Sequence, residues 1–242
     1  CVHTALEAGV RHFDTATMYH NEEFLGRALS GARVPREDLF ITTKCWIDDF
    51  GATATRKALE ASLRKLRTDY VDLYLLHWPK DETMMEAWVA MLEMREEGKV
   101  RSVGVSNFTV KRFEDFFLHH TDVVPAVNQI EQHPRRWQPD VEAYCEAKGI
   151  GVESYSPLGR SEVLDEEPIV RIARDLEKSP AQVILRWHLQ HGRVVIPKSS
   201  HPERIRENAD LFGFELDDEQ MRRLDDLDAD DTVIPWRPDG WY

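Results

Sequence analysis

The chain has few cysteines and no long apolar run, and both shortages limit what it can be. Cys1, Cys45 and Cys145 form neither a CxxC pair nor an even-numbered framework, so we expect free thiols in a reducing compartment. No apolar stretch approaches the roughly 18 residues of a membrane span, and the first residues read as an amphipathic helix end without the features of a signal peptide. We therefore predict a cytoplasmic protein with no membrane partner.

Positive charge is also scarce. The sequence has 31 Lys and Arg against 44 Asp and Glu, which gives a net charge of -13. Nucleic-acid binding depends on a basic face, so we expect no nucleic-acid partner. An anionic ligand would have to be bound by a local cluster of donors, which makes well-placed basic residues informative.

A glycine-rich dinucleotide motif is missing after the first predicted strand. The nearest match, Gly149 and Gly151, precedes a strand and has Ser154 at the third position. The motif depends on glycine because the backbone must approach a pyrophosphate closely. This excludes the doubly wound dinucleotide-binding fold.

What the sequence does contain is a regular alternation of strand and helix patterns, which is typical of parallel βαβ units. A length of 242 residues suits one barrel of this type. We predict an α/β fold, a (β/α)8 TIM barrel that forms a single domain over residues 1–242. Only seven strands can be read, so we expect the N-terminal hairpin and first strand to be missing. The predicted strands cover residues 12–16, 39–44, 71–77, 102–106, 126–130, 151–155 and 194–198.

Polar side chains stand at or just after the ends of the first three predicted strands, where such barrels carry their active sites. They are Asp14, Tyr19, Lys44 and His77. A phenol can donate a proton to the oxygen of a carbonyl group whose carbon accepts hydride, and a nearby ammonium favours the ionised phenol. These residue types predict carbonyl reduction with Tyr19 as general acid, Lys44 and Asp14 as its tuning pair and His77 orienting the carbonyl, without a metal.

These segments resemble the aldo-keto reductase family over nearly the whole chain. The matching stretches are residues 13–16 with Tyr19, 44–46, 76–79, 104–108 and 128–131. The resemblance is to the short-loop prokaryotic branch, which includes diketogluconate and methylglyoxal reductases. It implies the same four catalytic residues and a monomer acting on small carbonyl substrates.

The resemblance also implies the residues that bind the nicotinamide half of the cofactor. Ser106, Asn107 and Gln129 match the residues that bind the carboxamide, and Tyr155 matches the aromatic side chain that stacks on the ring. Ser156 and Leu158, from the segment after Tyr155, are assigned to the cofactor as well.

The adenosine end of the cofactor is expected after the last strand. Lys198, Ser199 and Ser200 stand ahead of a helix that begins near Pro202, and such a helix start with hydroxyls and a cation forms an anion site. Arg204, one turn into the helix, can bind a 2'-phosphate, so NADPH is favoured and NADH is expected to bind more weakly. Glu207 and Asn208 are expected to face the adenine.

The substrate pocket is implied at Met18, Trp46 and Trp78, three large apolar side chains near the predicted catalytic residues. Singly, each catalytic candidate has an ordinary structural role as a cap, a surface lysine or a polar group at the core edge. Two other functions stay open. One is a Schiff-base aldolase that uses Lys44 or Lys198, and the other is a non-catalytic subunit that senses nicotinamide.

Overall fold

The computed structural model describes residues 1–80, 83–119 and 122–234 of the chain. Strands and helices alternate along these residues. The strands are β1 (His12–Asp14), β2 (Phe40–Cys45), β3 (Val71–Leu76), β4 (Val100–Ser106), β5 (Val127–Glu131), β6 (Gly151–Tyr155) and β7 (Val194–Val195). The helices are α1 (Val2–Glu7), α2 (Glu22–Ser30), α3 (Ala52–Leu66), α4 (Met84–Glu96), α5 (Val110–His119), α6 (Pro139–Lys148), α7 (Glu167–Asp175), α8 (Pro180–Gln190), α9 (Pro202–Ala209) and α10 (Asp218–Asp225).

Every predicted strand is present, and two are shorter than predicted by two or more residues. The strand expected over 12–16 ends at Asp14, because the chain then turns into a short 3-10 helix, Thr17–Tyr19. The strand expected over 194–198 keeps only two residues. Pro197 follows there, and a proline has no N–H with which to extend the ladder.

The chain divides into two compact units. The N-terminal unit comprises Val2–Asn128 and Lys148–Ile150, and the C-terminal unit comprises Cys1, Gln129–Ala147 and Gly151–Tyr242.

The N-terminal unit is built on parallel strands in the order β1-β2-β3-β4. All six residues of β3 are buried, as expected for a parallel strand covered on both faces. Helix α3 packs between α2 and α4 and buries Leu59, Leu63 and Leu66. The register places Asp14 opposite Thr42 and Lys44 opposite Leu75, so β1 and β2 bring their polar residues to the same end of the sheet.

The C-terminal unit contains β6 and β7, paired in parallel, and a core formed by α7, α8 and α10. The start of α8 follows its sequence signals: Ser179 accepts a hydrogen bond from the Gln182 amide, Gln182 Oε1 accepts one from the Ser179 amide, and Pro180 occupies the first turn. The buried core residues are Val163, Ile169, Ile172, Ala173, Val183, Ile184, Trp187, Leu216 and Leu224.

Neither a membrane-spanning helix nor a group of metal ligands is found among the residues that the structure describes. None of their helices combines the length and the apolar character that crossing a bilayer requires. Within the same ranges, no three or more His, Cys, Asp or Glu side chains are grouped as metal ligands. Cys1, Cys45 and Cys145 are free thiols.

Candidate active site

The centre of the site in the N-terminal unit is an ion pair between Lys44 of β2 and Asp14 at the end of β1. Lys44 Nζ lies 2.5 Å from Asp14 Oδ1 and donates a second hydrogen bond to the Thr15 carbonyl oxygen at 3.0 Å. The lysine side chain is fully buried and the aspartate side chain is 10% exposed. Burying an ammonium is costly unless it is paired and hydrogen-bonded, so these contacts fix the amine in place.

Tyr19 lies beside this ammonium. It ends the 3-10 helix that follows β1, and its amide donates to the Ala16 carbonyl at 3.1 Å. Lys44 Nζ is 4.9 Å from the centre of the Tyr19 ring. The tyrosine is 47% exposed, so a phenol close to a buried cation is open to a small ligand.

His77 packs against Tyr19 from the neighbouring strand end. Its ring meets the Tyr19 ring edge-on at a centroid distance of 5.5 Å, and its amide donates to the Cys45 carbonyl at 3.1 Å. Burial, followed by the positive charge of Lys44, lowers the pKa of His77 to about 3. The imidazole is therefore neutral at ordinary pH and carries a single N–H.

The predicted pocket residues occupy different positions around these rings. The Trp46 ring contacts the His77 ring edge-on at 5.1 Å. Met18 is 46% exposed next to Tyr19 in the chain, and Trp78 is half-buried immediately after His77. The structure thus places the Trp46 ring directly against His77 and leaves apolar surface of Met18 exposed.

Ser106 and Asn107 stand at the end of β4 in the same unit. Ser106 is buried, and Asn107 has a left-handed backbone with φ of 64°, a conformation that asparagine tolerates better than most residues. The Asn107 Nδ2 group donates to the His77 carbonyl at 3.1 Å and to Ser106 Oγ at 3.0 Å. Asn107 therefore connects the β4 end to the residue that carries the imidazole.

In the C-terminal unit, the predicted nicotinamide residues lie within β5 and at or just after the end of β6. Gln129 is buried and its Nε2 donates to Glu153 Oε2 at 2.9 Å. Tyr155 is half-buried at the end of β6, and Ser156 follows it with φ of 49°. Leu158 packs against the buried core of the unit, so its side chain is partly used for packing.

The predicted phosphate residues lie between β7 and α9, also in the C-terminal unit. Lys198, Ser200 and Arg204 are exposed, and Ser199 Oγ accepts a hydrogen bond from the His201 amide at 3.1 Å. Helix α9 begins at Pro202, as predicted. Further along α9, Asn208 is half-buried, and the carboxylate of Glu207 accepts a hydrogen bond from the Ser179 hydroxyl.

Comparison with known proteins identifies the family. A family model described as "Aldo/keto reductase family" matches residues 1–229. The chain belongs to the aldo/keto reductase family. Among its relatives, glyoxal reductase of Bacillus subtilis (strain 168) is 46% identical over 234 residues, which cover 97% of this chain and 84% of that protein. Methylglyoxal reductase DkgA of Escherichia coli O157:H7 is 46% identical over 238 residues, covering 97% and 86% of the two chains.

Solved structures agree with this assignment of the aldo/keto reductase. The crystal structure of a Gox0644 mutant in complex with NADPH is similar with a TM-score of 0.89 and 43% identity, covering 94% of this chain and 83% of that one. The predictions of the family, its prokaryotic branch and the barrel fold class are thereby confirmed.

The site of this aldo/keto reductase also contains residues that sequence reasoning missed. Thr15 holds Lys44 through its carbonyl oxygen, and its hydroxyl donates to Asn21 Oδ1 at 2.5 Å. Every residue has a backbone carbonyl, so the residue type does not show which carbonyl accepts a hydrogen bond. The side-chain pattern therefore did not predict the role of Thr15. Only the register of β1 against β2 could have found it, since that register brings the first residues after Asp14 alongside Lys44.

Proposed function

We propose that this enzyme reduces aldehydes or ketones to alcohols with NADPH, and that Tyr19 is the general acid. The observation that carries the proposal is the position of the Lys44 ammonium, 2.5 Å from Asp14 Oδ1 and 4.9 Å from the Tyr19 ring centre. An ammonium at that range favours the ionised phenol by roughly 3 kcal/mol at an effective dielectric constant of about 20. Proton donation from Tyr19 is eased accordingly.

The reaction needs one proton on the carbonyl oxygen and one hydride on the carbonyl carbon. NADPH, when bound, supplies the hydride. Tyr19 donates its hydroxyl proton to the oxygen as the carbonyl double bond opens, and the phenolate left behind faces Lys44. Asp14 keeps the ammonium oriented throughout, so no charge has to be brought in from solvent.

His77 is proposed to hold the carbonyl oxygen in line with Tyr19. Among the described atoms, its Nδ1 is buried and has no hydrogen-bond partner. A buried donor without an acceptor is rarer than a buried acceptor without a donor, so the single proton is assigned to Nε2. That N–H is then available to donate to the substrate oxygen.

The residues of the C-terminal unit fit the phosphate end of NADPH. Lys198 and Arg204 supply exposed positive charge, Ser200 supplies a hydroxyl, and the first turn of α9 presents backbone amides that have no helical acceptor. This donor set favours a dianionic phosphate over a neutral ribose hydroxyl. Gox0644, a structural relative, was solved with NADPH. Ser106, Asn107, Gln129, Tyr155, Ser156 and Leu158 are proposed for the nicotinamide end, and Ser199, Glu207 and Asn208 for the adenosine end.

Small carbonyl compounds are the proposed substrates. Trp46, Met18 and Trp78 offer apolar surface near the phenol, which suits short aldehydes and dicarbonyls. Two relatives are named glyoxal reductase and methylglyoxal reductase, which supports the same class of substrate. We also propose a cytoplasmic monomer, consistent with three free thiols.

The test measures loss of the reduced-nicotinamide absorbance when glyoxal or methylglyoxal is added with NADPH. Tyr19→Phe keeps the ring that contacts His77 and removes only the acidic hydroxyl. We expect kcat to fall by about 10² to 10⁴-fold, the usual contribution of a positioned acid. Tyr70→Phe is the matched control, because the Tyr70 hydroxyl is occupied as an acceptor for Arg101 away from the site.

Three results would contradict the proposal. If Tyr19→Phe turns over at the wild-type rate, Tyr19 is not the general acid. If the wild-type enzyme turns over no carbonyl compound, a non-catalytic sensor is favoured. Covalent trapping of the substrate by borohydride would favour the aldolase alternative. The contacts of Lys44 disfavour that alternative. Schiff-base formation needs a neutral amine, whereas the ion pair with Asp14 favours the charged form of Lys44.

A further inference from the structure

Thr17 makes a contact that the mechanism above does not use. It is the first residue of the 3-10 helix that ends at Tyr19, and its hydroxyl donates to the carbonyl oxygen of Lys44 at 3.2 Å. The turn that carries the phenol is therefore bonded to the backbone of the residue that carries the ammonium.

The register of the sheet explains why this hydroxyl lies where it does. Between β1 and β2, Phe40 donates to the Arg11 carbonyl and Thr15 donates to the Thr42 carbonyl, both at 2.9 Å. Successive rungs of a parallel ladder are two residues apart, so the next donor toward the Lys44 carbonyl would be the amide of residue 17. The strand has ended by then, and the Thr17 side chain supplies the donor instead.

Neighbouring hydrogen bonds of residues 15–21 lie within the segment or at its start. The Tyr19 amide bonds to Ala16, and the Thr15 hydroxyl bonds to Asn21, so both stay within the segment. The Lys44 amine bonds to the Thr15 carbonyl, which fixes the start of the segment but not the turn itself. The Thr17 hydroxyl supplies a hydrogen bond from the turn itself to the backbone of β2.

We infer that Thr17 is a positioning residue that sets the separation between the Tyr19 phenol and the Lys44 ammonium, through its hydrogen bond to the Lys44 backbone. The inference rests on the proposed role of Tyr19 as general acid. Losing the anchor releases the turn, and the separation grows. By Coulomb's law at an effective dielectric constant of about 20, an increase from about 5 to about 6 Å raises the titration midpoint of Tyr19 by roughly 0.4 pH unit.

The test compares Thr17→Val, which keeps the shape and removes the donor, with Thr17→Ser, which keeps the donor. Tyrosines labelled with carbon-13 are titrated by NMR in the protein without cofactor, and the Tyr19 signal is assigned by its absence in Tyr19→Phe. The pH dependence of kcat and the KM for NADPH are measured in parallel. Thr53→Val, at an exposed threonine of α3, is the control for the substitution itself.

We expect Thr17→Val to raise the Tyr19 midpoint by about 0.4 pH unit and to lower kcat by about two- to threefold, with the KM for NADPH within about twofold. Thr17→Ser and Thr53→Val should leave the midpoint unchanged. An unchanged midpoint in Thr17→Val, or an equal shift in both Thr17 variants, overturns the inference. If Tyr19→Phe keeps full activity, the proposed function itself fails. If Tyr19→Phe loses activity but Thr17→Val leaves the Tyr19 midpoint unchanged, only the positioning role of Thr17 fails.

Discussion

Replacing Lys44 with methionine removes the ammonium while keeping a long flexible side chain in a fully buried position. Besides the Thr15 carbonyl oxygen, which loses a hydrogen bond of 3.0 Å, two groups lose a contact. The Asp14 carboxylate loses a hydrogen bond of 2.5 Å, and the Tyr19 ring loses a cation 4.9 Å from its centre. The first loss acts on stability and the second on catalysis, so the two effects can be measured separately.

The catalytic effect follows from Coulomb's law. We take the 4.9 Å between the Lys44 amine and the centre of the Tyr19 ring as the charge separation. At an effective dielectric constant of about 20, the attraction between an ammonium and a phenolate is then roughly 3 kcal/mol. Each 1.36 kcal/mol corresponds to about one pH unit, so the alkaline limb of the kcat profile should move up by about 2 pH units. The sign follows because a group that loses a stabilising cation holds its proton to higher pH.

The stability effect comes from Asp14, whose side chain is only 10% exposed. Removing one partner of a buried ion pair costs about 3 to 5 kcal/mol of unfolding free energy. Asp14→Asn combined with Lys44→Met also removes the carboxylate charge that Lys44 balanced, so this double variant should recover most of the stability in urea denaturation. The double variant should not return the alkaline limb of the kcat profile to its wild-type pH, because the ammonium is still missing.

Urea melts at neutral pH and kcat profiles with methylglyoxal and NADPH are needed for wild type, the single variant and the double variant. An alkaline limb that stays in place in Lys44→Met refutes the electrostatic role of the lysine. A double variant as unstable as Lys44→Met refutes the claim that the unpaired carboxylate causes the loss.

Three further predictions test other parts of the molecule. Arg204→Ala should raise the KM for NADPH about tenfold, which corresponds to the loss of one charged hydrogen bond, and should leave the kinetics with NADH unchanged. Arg206→Ala is the control and should change the kinetics with neither cofactor. Burial, followed by Arg193, lowers the pKa of His188 well below 6.5, so folding excludes a proton that the unfolded chain binds. Wild type should therefore lose about 1.4 kcal/mol more than His188→Gln between about pH 7.5 and 5.5 in denaturant melts. Gly26→Ala should destabilise the protein by about 1–3 kcal/mol, because a Cβ at this position would lie 2.6 Å from Leu66 Cα. Gly31→Ala is the control, since a Cβ there would lie 3.4 Å from its nearest neighbour, and it should be nearly neutral in the same melts.

The sequence was informative about the fold because each local signal agreed with its neighbours. The seven apolar runs became seven strands, and Ser179 with Pro180 began a helix as their residue types require. The errors were at strand ends, where the chain turned away after Asp14 or met Pro197. Boundaries depend on single hydrogen bonds, and periodicity does not specify those.

The candidate site was predictable as a set of residue types and less so as a set of contacts. Asp14, Tyr19, Lys44 and His77 could be chosen because polar side chains at successive parallel strand ends are brought to one edge. The Trp46 ring against His77 and the Thr15 carbonyl under Lys44 could not, because side-chain rotamers and backbone acceptors have no sequence pattern. The bond between Glu207 and Ser179 was missed for the same reason.

By itself, the order of residue types along this chain determined the alternation of strands and helices and the set of polar groups at the strand ends, since both follow from local periodicity and chain direction. Tertiary structure alone decided the 4.9 Å between the Lys44 amine and the Tyr19 ring, the burial that keeps His77 neutral, and the bond from Thr17 to the Lys44 carbonyl. Electrostatic effects depend on distance and on exclusion of water, and both quantities exist only once segments distant in the chain are packed together.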